Sequence, residues 1–142
     1  MEITGVRLLN QAGEEHSTFA SGEPMTVAID FIANQPVDGC VFGLGFKRAD
    51  GVSLAGPNTK VGRFTVRLPA GGRGGTVTYT IPSLALLGAH YRLTAVVYDT
   101  VLNHAYDHRE DITDFRVVDE QGKMGYVDLG GEWGERLDDD PT

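Results

Sequence analysis

Hydrophobic and polar positions alternate most regularly around residues 90–98. Tyr91, Leu93, Ala95 and Val97 fall on one side of a pleated strand, and His90, Arg92, Thr94, Val96 and Tyr98 on the other. The first set is what a core takes up. The second mixes a cation, two aromatic rings and a hydroxyl, which suits either a solvated face or a binding surface. The same period of two recurs along the chain. It predicts strands at Ile3–Leu9, at Met25–Ala33 with Val27, Ile29 and Phe31 inward and Thr26, Ala28, Asp30 and Ile32 outward, and at Cys40–Arg48 with Phe42, Leu44 and Phe46 inward. Further strands follow at Arg63–Leu68 (Phe64, Val66 and Leu68 inward), Thr76–Ile81 (Val77, Tyr79 and Ile81 sharing a face), Ile112–Val118 and Met124–Leu129. Glu14–Ser21, anchored by Phe19, and Asn103–Asp111 read as polar loops.

Turn chemistry separates these segments. Asn10-Gln11-Ala12-Gly13, Ala49-Asp50-Gly51, the glycine-rich stretch from Pro69 to Gly75 and Gln121-Gly122-Lys123 supply the small and amide residues that tight turns need. No segment keeps a helical period over three turns, and the 19 glycines with abundant Val, Thr, Tyr and Phe reinforce the β reading. The expected fold is all-β: an antiparallel sandwich, immunoglobulin-like or jelly-roll, of about eight or nine strands. It occupies residues 1–133, followed by a disordered acidic tail over 134–142. Gly43 and Gly45 share the outward face of the Cys40–Arg48 strand, which implies a close approach there by another backbone or a ligand.

Composition narrows the function. The chain has 142 residues, 41% hydrophobic and 23% charged, the balance of one soluble globular domain. No apolar run reaches the roughly 20 residues that span a bilayer, and Glu2 stands where a signal peptide would be basic. A net charge of -8 disfavours nucleic acid as a partner. The single Cys40 excludes an internal disulfide, fits a reducing compartment, and reads as a small buried hydrophobe.

Catalytic and metal motifs are weak. Gly71-Gly72-Arg73-Gly74-Gly75 lies between two strands, whereas a phosphate loop leads into a helix, so it reads as a hairpin turn. His104 and His108 with Asp107 and Asp111 have no spacing that fixes a third metal ligand, and Asp107, Glu110, Asp111 and Asp114 lack a calcium-loop spacing. Ser53 and Ser83 have no nucleophile-elbow context, and no carboxylate pair is singled out for glycoside hydrolysis. The expectation is a non-enzyme without cofactor or metal. Trp133 reads as a plug at one end of the sandwich or as a dimer contact, ahead of a sugar-stacking platform.

Several pieces stand in a recognisable order: ITGVRLLNQAG, SGEPMTVAIDFIAN, VFGLGFKRADGVSLAGPNT, LALLGAHYRLTAVVYD, YDHREDITDFRV, and a final segment with glycines and Trp133. In this combination, from about Ile3 to Trp133, the chain resembles the C-terminal domain of Wzt-type proteins, the ATP-binding subunits of ABC transporters that export O-antigen and related polysaccharides. The Gly88-Ala89 corner departs from the pattern in lacking a proline. The resemblance implies a cytoplasmic sandwich appended to an ATPase domain at the inner face of the membrane, with Met1 at a domain boundary or opening a gene for the module alone. It implies a domain that binds the exported glycan and so couples recognition to export. It also implies a homodimer, in which the strand Met124 to Trp133 can be exchanged.

No invariant sugar motif transfers, so candidate binding residues come from the outward faces. They are Tyr98, Arg92 and Thr94 on the central strand and Lys47 beside Gly43 and Gly45. Arg67 and Thr78, with Arg63, join them only if strand order brings those strands alongside. Each is also what a solvated outer face would carry. The alternative function is a dimerisation or protein-interaction module without glycan affinity.

Overall fold

The computed structural model describes residues 1–68 and 73–138. Eight strands carry the fold: β1 (Glu2–Leu9), β2 (Thr18–Ala20), β3 (Met25–Ile32), β4 (Val41–Arg48), β5 (Ser53–Ala55), β6 (Gly74–Ile81), β7 (Ala89–Tyr98) and β8 (Ala105–Val118). They form a three-stranded sheet, β1-β3-β6, and a five-stranded sheet, β2-β8-β7-β4-β5. All pairings are antiparallel except β2 with β8. This is the expected all-β sandwich.

The inward sets meet between the sheets. Val27, Ile29 and Phe31 of β3 face Phe42, Leu44 and Phe46 of β4 and Tyr91, Leu93, Ala95 and Val97 of β7, all buried in one cluster. Rings supply much of the bulk: Phe31 packs on Phe42 at 5.1 Å, and Tyr91 stacks on Phe115 at 5.4 Å. Cys40 is buried and free, and burial pushes its thiol above its ordinary pKa. On the outer face of the smaller sheet, Arg7 grips Asp30 through Nε and Nη2 at 2.7 and 2.8 Å, while Thr76 Oγ1 donates to the same carboxylate. The Arg7 guanidinium holds Asp30 below the usual carboxylate range, which ties all three strands together.

The turns follow their chemistry. Asn10 Oδ1 accepts from the amides of Ala12 and Glu14, and Gly13 takes φ 79°. Gly51 turns at φ 93° beside the Arg48–Asp50 ion pair.

Six local expectations are corrected. Asn103–Asp111 is largely strand, because β8 begins at Ala105 and pairs with β7 from Tyr98 onward. Its polar residues hid a segment whose order comes from backbone pairing. Within 14–21, Phe19 is buried in a three-residue strand beside β8, where a loop was expected. Residues 63–68 form no strand: the Asn58 side chain accepts from the Val61 amide, Arg63 adopts φ 54°, and Phe64 is left 62% exposed. Residues 124–129 form no strand and meet the fold through the Leu86–Val127 bridge and through Tyr126, and Trp133 is fully exposed, so it plugs nothing. Ala28, expected outward, is buried because its methyl group lies between Arg7 and Thr78 on the flanking strands. Residues 69–72 of the glycine-rich turn and 139–142 of the acidic tail lie outside the described residues.

Gly43 meets the expectation of close approach. A Cβ there would stand 3.2 Å from Val96 Cγ1, with Asn58 beside it, so a neighbouring strand and segment fill the space. Gly45 has only an ordinary contact with Thr94.

Candidate functional site

Among the described residues, the outer face of the five-stranded sheet gathers the largest set of linked ion pairs. Register sets Lys47 of β4 opposite Arg92 of β7, and Gly45 opposite Thr94. Across the other edge of β7, Asp114 of β8 lies opposite Arg92 and His108 opposite Val96. Between those pairs the β7–β8 register slips, and Asp111 takes φ 49°. Aspartate tolerates that left-handed conformation better than most residues. The bulge brings the Asp111 amide to Thr94 Oγ1, to which it donates at 3.0 Å. Its carboxylate lies 2.8 Å from Lys47 Nζ and 3.8 Å from Arg92 Nη1. Glu110 takes a second contact with Lys47 at 2.9 Å, and His108 Nε2 lies 3.4 Å from Glu110.

Electrostatically the cluster is internally compensated. The Asp111 and Glu110 carboxylates raise the Lys47 pKa, and Lys47 in turn holds both carboxyls below their usual range. Exposed ion pairs add little to stability. Their effect is positional: they hold charged donors and acceptors at set places on a stiff sheet. That arrangement suits hydrogen bonding to hydroxyl groups. Acid catalysis of glycoside cleavage needs a carboxyl kept protonated, and these two are pulled the opposite way.

The structure divides the six candidate residues. Lys47, Arg92 and Thr94 form one cluster. Tyr98 shares their face but pairs with Val41, six residues or about 20 Å along the strand. Thr78 lies on the other sheet, opposite Ala28, and Arg67 sits in the irregular segment before residue 69; these two instead border one depression with Phe31 and Phe64. Arg63 is exposed at its left-handed turn.

Sequence reasoning missed Glu110, Asp111 and His108 as parts of this face, having assigned them to a loop. A usable signal was the run Val96-Val97-Tyr98, since a strand this apolar needs a partner through its last residues. No three of the His, Cys, Asp and Glu side chains among the described residues are arranged to hold a metal ion. Asp107, one of the metal candidates, accepts from the Ile3 amide at 2.8 Å and pairs with Arg109 at 3.0 Å. Burial works against its charge, yet those partners outweigh burial and keep its pKa low.

Residues 1–129 match the family model described as the Wzt C-terminal domain. Among solved structures, the crystal structure of the C-terminal domain of Wzt is similar with a TM-score of 0.83 at 15% sequence identity, covering 95% of this chain and 83% of that one. At that identity the likeness is one of fold. No curated protein sequence matches.

Proposed function

The chain belongs to the Wzt C-terminal domain family, and on that premise we propose that it is a non-catalytic carbohydrate-binding domain. It would recognise the O-antigen or related polysaccharide exported by an ABC transporter and couple recognition to export. Its partners are then the ATPase domain and membrane subunit of that transporter, at the cytoplasmic face of the membrane, with residues 1–133 as the binding module. The family match over residues 1–129 carries this reading. The Lys47–Arg92–Thr94–Asp111 cluster supports it, because sugar hydroxyls are read by donors and acceptors already held in place.

Calorimetry with polysaccharide isolated from the cells that encode the chain tests the assignment. Arg92→Ala should weaken binding about tenfold, the loss of one charge-assisted hydrogen bond. Tyr98→Ala should weaken it only if the glycan runs the length of β7. Unchanged affinity in both variants removes this face as the site.

A second reading, the homodimer, rests on the C-terminal arm. Met124, Leu129 and Trp133 are almost wholly exposed there, more apolar surface than a solvated tail carries singly. Exchange of Met124–Trp133 between two copies would bury it. Light scattering is expected to give a dimer for the whole chain and a monomer for a chain ending at Asp128; a monomer for both would rule exchange out.

A further inference from the structure

One end of the sandwich differs in charge from the other. Register puts Tyr98, the last residue of β7, beside the starts of β4 and β8, and Ile32, the last of β3, beside the starts of β1 and β6. The connections 33–40 and 99–104 and the segment 58–68 gather at that end. The chain carries 20 acidic residues, yet none falls between Gly51 and Tyr98, where Lys60, Arg63, Arg67, Arg73 and Arg92 stand. The first four of these cations belong to the end just described, against Asp38 and Asp99 in its two connections. At the opposite end, the loops 10–17 and 119–123 carry Glu14, Glu15, Asp119 and Glu120. The net charge of -8 hides a separation of charge along the strands.

Two tight turns close the basic end. In the first, the Asn58 side chain accepts from the Val61 amide, the Gly62 and Phe64 amides donate to the Asn58 and Thr59 carbonyls, and Arg63 takes φ 54°. In the second, the Leu102 amide donates to the Asp99 carbonyl, the Asn103 amide donates to the Asp99 carboxylate at 2.9 Å, and Leu102 takes φ 59°. Lys60 Nζ donates to the Thr100 carbonyl at 3.1 Å and joins the two turns. Hydrogen bonds thus fix turns whose side chains are left in water. Val61 is 79% and Val101 68% exposed, with Phe64 and Leu102 exposed beside them. A leucine held in the left-handed region is strained, and such strain persists only where the surrounding structure imposes it.

We propose that this end docks on an anionic lipid bilayer, with Val61, Phe64, Val101 and Leu102 entering the headgroup region and Lys60, Arg63 and Arg67 against the lipid phosphates. Interfacial binding draws on apolar area together with the attraction of cations to anionic headgroups, and both stand here on the same turns. The eight residues of β3 span roughly 26 Å, so the acids of the far end lie well beyond the Debye length of about 8 Å and leave the attraction intact. A second copy would match the charges head to tail, but the acidic loops 10–17 and 119–123 have no large apolar side chain to receive the tips. A bilayer receives both. The lipid contact does not depend on the glycan-binding reading.

Sedimentation of the whole chain with vesicles tests it, comparing equal parts of phosphatidylglycerol and phosphatidylcholine with phosphatidylcholine alone at low ionic strength. The anionic vesicles should bind at least about tenfold more tightly, and the difference should shrink as salt is added. Arg63→Asn removes one charge while suiting the left-handed turn, and should weaken binding about fivefold. Val61→Ser combined with Val101→Ser changes only exposed side chains, and should weaken it roughly tenfold. No preference for anionic vesicles, or full binding by both variants, overturns the proposal. Loss of binding in Trp133→Ser but in neither of these variants also overturns it, and moves the contact to the C-terminal arm. Larger species in light scattering without vesicles, abolished by Arg63→Asn, would assign this end to a second copy instead. Calorimetry with the cell-derived polysaccharide should show both variants binding as the unaltered chain does. A fall there in step with vesicle binding would give these turns to the glycan, and the lipid contact would fail while glycan binding stands.

Discussion

Replacing Tyr91 with alanine is expected to remove about 4 kcal/mol of stability, the usual cost of deleting a large buried aromatic ring. Tyr91 is wholly buried near the start of β7, and its ring stacks on Phe115 at 24°. Its hydroxyl donates to the Leu87 carbonyl oxygen at 2.6 Å and approaches the Tyr126 carbonyl at 3.4 Å. Burial raises the phenol pKa, so the group stays a donor throughout the ordinary pH range. Tyr91 therefore fills the core and also ties residues 84–87 and 126–128 together, where the Leu87 amide donates to Tyr126 O and the Asp128 amide to Ala85 O. Arg48, 4.6 Å above the Tyr126 ring, covers the same junction. Tyr91→Phe separates the two roles: it keeps the packing, and should cost about 1–2 kcal/mol while speeding amide exchange at Leu87 and Asp128. Urea unfolding measures both. A loss below about 2 kcal/mol for the alanine variant would contradict the central place given to this ring.

Gly74→Val should destabilise the chain by roughly 1–3 kcal/mol, the range for forcing atoms into a filled site. A Cβ on Gly74 would stand 2.9 Å from the backbone oxygen of Phe31 and 3.3 Å from Ile32 Cγ2. A carbonyl in the β3–β6 ladder cannot move without disturbing the pairing of Ile32 with Gly74. Gly75 makes an instructive comparison. Its Cβ would come within 2.8 Å of the Phe31 ring edge, but a ring bordering the adjoining depression can give way. Gly75→Ala should accordingly cost less than Gly74→Ala in the same thermal or urea unfolding assay. Equal costs, or none, would show that β6 is free to shift outward along its open edge.

Legibility followed burial. Wherever one side of a strand faces the core, as in β3, β4 and β7, a one-residue slip would expose every apolar side chain, so pattern and register agree. Where burial did not constrain the pattern, reading failed in both directions. Phe64, Val66 and Leu68 alternate as a strand does, yet the chain turns outward at Arg63 and pairs with nothing as a ladder. The run Tyr106-Asp107-His108-Arg109-Glu110 looks like a loop, yet β7 holds it as strand. Backbone hydrogen bonds leave no mark in side-chain composition.

The candidate site shows the same division. That Lys47, Arg92 and Thr94 face away from the core follows from parity, which is a local property of an extended chain. That they meet Glu110 and Asp111 depends on β8 lying beside β7 and on a bulge at one aspartate, neither of which any local pattern encodes. The all-β class, the inward sets and the outward cations could be read one residue after another. Strand order, the cluster around Asp111, and the meeting of the turns at Val61 and Val101 came only with the packing of two sheets, because they are contacts between residues far apart in the chain.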